Sequence, residues 1–172
     1  VPTSSDPVII TAKVSSSSPI SSINVFHRRS TSSGNENYQS SPMNDNGNNG
    51  DELAGDGIYS VTLNQYQSDN SIVQFYVRAA SGNSTSYSPG PAPELPAMWV
   101  VDNSNIPNDL RTQRFVISEY DRNSLNANTG GGSSRDYDFP RLSNQYFNAT
   151  FISNEKDIIY NCELRKSGSP WS

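Results

Sequence analysis

The densest group of residues that could do chemistry is an acidic, glycine-rich stretch at residues 44–57. It contains four acidic residues, four asparagines and four glycines. Like charges this close together are unfavourable unless a cation lies between them. Calcium takes about six to eight oxygen ligands from carboxylates, amides and backbone carbonyls, and glycines allow a short loop to curl around it. The stretch therefore predicts a calcium-binding loop.

The spacing in this stretch partly matches the calcium loop of EF-hand proteins. With Asp45 at the first position, Asn49, Gly50, Asp51 and Asp56 fall at the fifth, sixth, seventh and twelfth. The third position is a glycine and the last is the shorter aspartate, so a loop between strands is predicted rather than an EF-hand domain. We expect the metal ligands to be Asp45, Asp51 and Asp56, followed by Asn49. The alternative is that these side chains only cap successive turns through local hydrogen bonds.

Other reactive residues are scarce. The chain has one histidine, His27, and one cysteine, Cys162. An internal disulfide and a Cys/His zinc site are thereby excluded, and a metal would have to be held by oxygen. His27 lies in a run of partly alternating apolar and polar residues, which predicts a histidine on the surface of a strand. Catalysis through His27 is a minor hypothesis.

Composition excludes further classes of function. The chain has 172 residues, of which 33% are hydrophobic, enough for a buried core. Twelve basic against 17 acidic residues give a net charge of -5, which provides no cationic field for nucleic acid. No apolar stretch is long enough to span a membrane, and the start at Val1 lacks a signal-peptide pattern, which suggests an excised piece of a longer chain. Low lysine content, the acidic balance and the lack of paired cysteines suggest an exported bacterial protein.

The first 90 residues predict an antiparallel β-sandwich of the immunoglobulin or fibronectin III type. Six or seven short runs rich in β-branched and aromatic residues are separated by turn signals and show no helical period. The predicted strands lie at 8–14, 20–29, 38–43, 57–63, 72–80 and 84–88. We expect a mainly β fold.

A proline-rich segment ends this region. Residues 91–97 follow Pro89 and Gly90 and are predicted to be an extended linker between domains. Beyond it, residues 98–172 predict a small mixed, strand-rich segment. Short strands are expected at 99–101, 114–117, 148–153 and 158–165, with a helix beginning after Ser118 as its cap.

Two parts of the chain resemble a known bacterial arrangement. Met43–Gly47, Ala54–Gly57 and the strand Val73–Ala79 resemble the immunoglobulin-like module found before CotH-type kinase domains in large secreted or envelope proteins. Residues 148–171, which include the Arg-x-x-Gly-Ser pattern at Arg165–Ser169, resemble the opening strands of the CotH domain itself. The resemblance implies an immunoglobulin-like domain at 1–90, the linker at 91–97 and an N-terminal CotH fragment at 98–172.

The resemblance also sets the functional expectation. CotH kinases phosphorylate proteins with ATP and magnesium, but their catalytic acids match positions beyond residue 172, so we assign no catalytic residue and expect this chain to be inactive. We expect a non-catalytic accessory or spacer module of an extracellular or cell-envelope protein, braced by calcium. Its partners would be the rest of the parent protein and a cell-surface protein or glycan.

A carbohydrate-binding or adhesive module is the alternative. Several tyrosines lie in polar contexts where an exposed ring could stack on a sugar. These are Tyr38, Tyr66, Tyr87, Tyr120, Tyr137 and Tyr146.

Overall fold

A computed structural model describes residues 1–104, 111–127 and 145–165. Its strands are β1 (Val8–Lys13), β2 (Ser22–Thr31), β3 (Gly34–Asn35), β4 (Gln39–Pro42), β5 (Ile58–Leu63), β6 (Ile72–Ser81), β7 (Ser84–Ser88), β8 (Ala97–Val100), β9 (Gln113–Ile117), β10 (Phe147–Ser153) and β11 (Asp157–Leu164), with helix α1 (Glu119–Ala127) between β9 and β10. The fold is mainly β with antiparallel sheets in a sandwich-like arrangement, which confirms the predicted fold class. None of the described helices could cross a membrane.

Two unequal sheets form the sandwich. One is the pair β1–β5, and the other is built on the long pair β2–β6. Strands β3 and β4 pair with the outer edge of β2, while β7 and β8 pair with the outer edge of β6. The core between the sheets contains Ile10 of β1, Val25 of β2, Leu63 of β5 and Val73 of β6. Alternation along each strand directs these β-branched and aliphatic residues inward.

The proline-rich segment is not an extended linker. Residues 90–94 form turns, and the peptide bonds Ser88–Pro89 and Ala92–Pro93 are cis. Strand β7 pairs with Val77–Ser81 of β6, and β8 then pairs with Ile72–Phe75 of the same strand. The turns therefore interrupt one edge of one sheet, and the prediction that residues 98–100 lie outside the sandwich is wrong. Prolines reveal a break in a ladder, but they do not reveal which sheet accepts the next strand.

A three-stranded sheet with the order β11–β10–β9 packs beside β6 and β8. A second buried cluster joins the two sheets and contains Ile72, Met98, Val116 and Ile152. The backbone N–H of Met98 also donates to Thr150 Oγ1 at 3.0 Å, in a fully buried position. The predicted cap of α1 is confirmed, because Ser118 Oγ accepts a hydrogen bond from the N–H of Asp121 at 3.0 Å.

Candidate metal centre

The acidic loop connects β4 to β5 and folds back over β5. Asn44 and Ser60 exchange two backbone hydrogen bonds of 3.0 and 2.9 Å. The Ser60 hydroxyl, which is 2% exposed, donates to the backbone carbonyl of Asn48 at 2.7 Å. The loop is therefore anchored on the outer side of the two-stranded sheet.

Glycines permit this close approach. Gly50 has a φ of +93°, and a Cβ added there would lie 2.5 Å from Ile9 Cγ2 on β1. Gly57 has a φ of +85°, and its added Cβ would lie 3.0 Å from the carbonyl oxygen of Val14. Both positions favour glycine through the left-handed backbone and through the space available.

Asp45 closes the loop on itself. One of its carboxylate oxygens accepts a hydrogen bond from the N–H of Gly57 at 2.9 Å, and the other accepts one from the N–H of Gly55. Asp45, at the start of the loop, is thus joined to two residues at its end, which lie ten and twelve positions later in the sequence.

Asp51 is the buried member of the group, with 4% of its surface exposed. Its two oxygens accept hydrogen bonds from the N–H groups of Gly47 and Leu53, at 2.7 and 3.2 Å. The exposed Asp56 accepts a hydrogen bond from the N–H of Ile58 at 2.8 Å. These are the local side-chain-to-backbone contacts that the turn-capping alternative predicts.

The three aspartates also converge. One carboxylate oxygen from each of Asp45, Asp51 and Asp56 lies within 4.8 Å of the other two. Within residues 1–104, 111–127 and 145–165, no ion pair joins any of them to a lysine or arginine. Three carboxylates at such distances repel one another, and each oxygen that accepts one hydrogen bond keeps a further lone pair. The arrangement could hold a cation that prefers oxygen ligands.

Asn49, the fourth predicted ligand, makes a different contact. Its Oδ1 accepts a hydrogen bond from Thr62 Oγ1 of β5 at 3.3 Å, and its φ is +55°. The three carboxylates therefore lie close to one another, whereas the side-chain oxygen of Asn49 is engaged with the sheet.

His27 is buried, and its prediction as a strand-surface residue is wrong. It is 0% exposed, because alternation along β2 places it on the same face as the core residues Ile23 and Val25. Its Nδ1 is hydrogen bonded to Tyr66 Oη at 2.8 Å and its Nε2 to Ser41 Oγ at 2.9 Å. Burial lowers the pKa of the imidazole, so the ring is neutral near pH 7.

The tyrosines of the carbohydrate-binding alternative separate into different environments. Tyr66 is buried against His27 and Trp99. Tyr38 and Tyr87 both contact Tyr76, at centroid distances of 5.0 and 6.1 Å. Tyr120 and Tyr146 are exposed, and Tyr137 lies outside the described residues.

The aromatic group around Tyr76 was not predicted as a unit. Phe26 stacks on Tyr76 with centroids 5.0 Å apart, and the guanidinium of Arg28 lies 4.1 Å from the centroid of Tyr38. The two stacked residues face each other in the β2–β6 register. The sequence places Phe26 and Tyr76 on predicted strands, but it does not give the register that brings the two rings together.

Comparisons with known protein families and with curated proteins identified no relative of this chain. No protein-family model matches the chain. No match to a curated protein was found either.

Proposed function

We propose that this chain is a non-catalytic accessory module of a secreted or cell-envelope bacterial protein, in which calcium braces the loop between β4 and β5. The observation that carries the proposal is the convergence of the carboxylates of Asp45, Asp51 and Asp56 within 4.8 Å. The loop packs against Ile9 and β5, so a cation there would stiffen one face of the two-stranded sheet. The role is structural, with the module spacing or docking the rest of its parent protein.

A calcium ion would act by relieving repulsion. The native loop brings three negative charges together, whereas the unfolded chain separates them. A ligand that binds only the native state stabilises it by about 2.7 kcal/mol at a hundredfold excess over its dissociation constant. For a chain of this size the unfolding temperature would rise by about 5 to 10 °C.

The test is thermal unfolding of the whole chain in excess calcium and in EDTA. We expect the calcium-dependent rise in the wild type and its loss in Asp51→Asn. Glu52→Gln is the matched control, because it removes the same charge from the adjacent exposed residue, which is not part of the convergent group. Its response should equal that of the wild type.

Two results would contradict the calcium site. If calcium leaves the wild type unchanged, the carboxylates only cap turns. If Glu52→Gln abolishes the response as fully as Asp51→Asn, calcium acts through general charge screening rather than at a defined site.

The place of the module in its parent rests on the resemblance to immunoglobulin-like modules that precede CotH-type kinase domains. Strands β9, β10 and β11 would then be the first strands of such a domain, and the partners would be the remainder of the parent and a cell-surface protein or glycan. The chain itself should transfer no phosphate from ATP in the presence of magnesium. Phosphorylation of the chain or of an added protein would overturn its assignment as non-catalytic.

Carbohydrate binding remains a second candidate because of one observation. Tyr87 is 40% exposed as a residue and contacts Tyr76 in the aromatic group, and a sugar could stack on its ring. Retention on a polysaccharide that is lost in Tyr87→Ala and kept in Tyr120→Ala would favour this function. Tyr120 serves as the control because it is exposed on α1, away from that group.

A further inference from the structure

A groove of about 790 Å³ separates the free edge of β1 from the opposite sheet. Its apolar floor is formed by core-facing residues of both sheets, and serines form much of its rim. The floor includes Ile10, Val14, Ile20, Phe75, Val77 and Ala79.

Contacts at both ends limit the length of the groove. At one end, Tyr160 of β11 packs edge-to-face on Phe75 with centroids 5.9 Å apart. At the other, Ser81 Oγ donates to the carbonyl oxygens of Ser18 and Pro19 at 3.2 and 3.0 Å, which holds the turn after β1 against β6. Phe75 and Ser81 lie on one strand, so the groove is about 20 Å long, the length of a six-residue strand.

The edge of β1 that borders the groove has unused backbone hydrogen-bonding groups. The N–H of Val14 donates to the carbonyl of Gly57 at 2.8 Å, so the backbone groups of Val14 point towards the β5 side of the strand. Because alternate residues of an antiparallel strand bond to the same neighbour, Ile9, Thr11 and Lys13 direct their N–H and C=O groups away from β5. In the part of the chain that the structure describes, no backbone hydrogen bond reaches these groups.

The shortage of strands explains the groove. Among the described residues, the sheet built on β2 and β6 is four strands wide, with β4 on one side and β7 or β8 on the other, whereas the facing sheet consists of β1 and β5. Adjacent strands lie about 4.8 Å apart, so the smaller sheet does not cover β7. One more strand beside β1 would lie over β7 and complete the sandwich.

The charge of the groove indicates the kind of strand that fits. Lys13 is the single charged side chain among the described residues that line the groove, in a chain whose net charge is -5. An acidic residue near Lys13 would be attracted to it, and small or aliphatic residues at alternate positions would fit the apolar floor.

We propose that this groove binds an extended peptide segment of a partner protein, which adds as a strand to the free edge of β1. Its alternate residues are small or aliphatic and face Val77 and Ala79, and it carries an acidic residue that reaches Lys13. A second copy of β1 does not fit this role, because the inward residues of β1, including Ile10, are buried in the core of its own molecule. The proposal does not depend on calcium at the acidic loop.

The test is selection of phage-displayed random peptides, about ten residues long to match the groove, on the whole chain. Ser86→Tyr fills the groove from β7, since Ser86 lines it. Thr85→Tyr is the matched control, because the neighbouring side chain points to the opposite face of the same exposed strand and does not line the groove. Thr11→Pro removes one of the N–H groups on the free edge without touching the bonds to β5. Thermal unfolding of each variant establishes that it folds.

We expect selected peptides with alternating apolar residues and an acidic residue. Ser86→Tyr and Thr11→Pro should weaken their binding by about tenfold or more, and Thr85→Tyr should leave it unchanged. Bound peptide should also slow amide hydrogen exchange at Thr11 and Lys13.

Three outcomes would overturn the proposal. If the selection yields no peptide that binds the wild type better than it binds Ser86→Tyr, a peptide site in the groove is excluded. Binding without protection of the β1 amides excludes strand addition. Self-association that Ser86→Tyr abolishes would assign the groove to a second copy of the chain.

Discussion

At the scale of single residues, His27 shows how a polar side chain is accommodated in the core of a sandwich. Its two ring nitrogens are both hydrogen bonded, to Tyr66 and Ser41, which compensates for the loss of water. A charged imidazole at the same place would lose its hydration, and burial lowers the pKa of the ring for this reason. The geometry supports a structural role for His27.

This lowered pKa predicts a pH dependence of stability. Below about pH 6.5 the ring of the unfolded chain takes up a proton while the native ring resists it, so the free energy of unfolding falls as the pH falls. His27 is the only histidine, so the dependence between about pH 5 and 7 belongs mainly to it. Urea unfolding across this range checks the prediction.

His27→Gln provides the comparison for this pH dependence. Glutamine can still form hydrogen bonds but does not titrate, so the decrease in stability between about pH 7 and 5 should be smaller than in the wild type. An equal decrease in both proteins would assign it to other groups.

At the scale of elements, β8 decides how far the sandwich extends. Trp99 of β8 is 7% exposed and packs against Phe75 and Tyr66, with centroids 5.0 and 6.1 Å away. Ala97 and Val101 are also part of the main core. The strand that follows the prolines is therefore a component of the sandwich core.

Trp99→Ala should accordingly destabilise the sandwich as a core substitution does. We expect a loss of about 3 to 5 kcal/mol in the free energy of unfolding, because a large buried ring is replaced by a cavity. Leu95→Ala is the control from the neighbouring turns, where the side chain is 41% exposed, and should cost less than about 1 kcal/mol. Similar losses in the two variants would mean that β8 does not belong to the core.

At the scale of the whole molecule, the three-stranded sheet is joined to the sandwich by several kinds of contact. Apolar packing places Ile152 of β10 in one cluster with Ile72 of β6. Arg114 of β9 forms ion pairs with Asp102, which follows β8, and with Glu155.

Hydrogen bonds from Ser104, together with Arg114, lower the pKa of Asp102 to about 2. The interactions of the charged Asp102 carboxylate therefore stabilise the fold above the usual aspartate pKa of 3.8, and this stabilisation is lost as the pH falls towards 2.

The shared cluster predicts that the two sheets unfold together. Ile152→Ala should lower the free energy of unfolding by about 2 to 5 kcal/mol, and should speed amide exchange in β2 and β6 as well as in β10. Ile159→Ala on β11 is the control, since that side chain is 55% exposed. Normal exchange in β2 and β6 of Ile152→Ala would show instead that the sandwich unfolds independently.

The features that the sequence predicted well depend on interactions over short distances along the chain. The β-branched runs specify β1, β5 and β6, because strand propensity acts within a few residues. Ser118 caps α1 for a similar reason, since a helix cap bonds to the first turn that follows it. The convergence of Asp45, Asp51 and Asp56 is similarly contained within one loop whose glycines permit the necessary turns.

The remaining features required strand pairing between distant parts of the chain. The burial of His27, the contact of Asn49 with Thr62 and the inclusion of β8 in the sandwich each depend on which strands become neighbours. The groove beside β1 has the same origin, since it exists because two strands face a wider sheet. Sequence pattern therefore determined the strands and the acidic loop, whereas the tertiary structure decided their neighbours, because pairing minimises the free energy of the whole core rather than of any one segment.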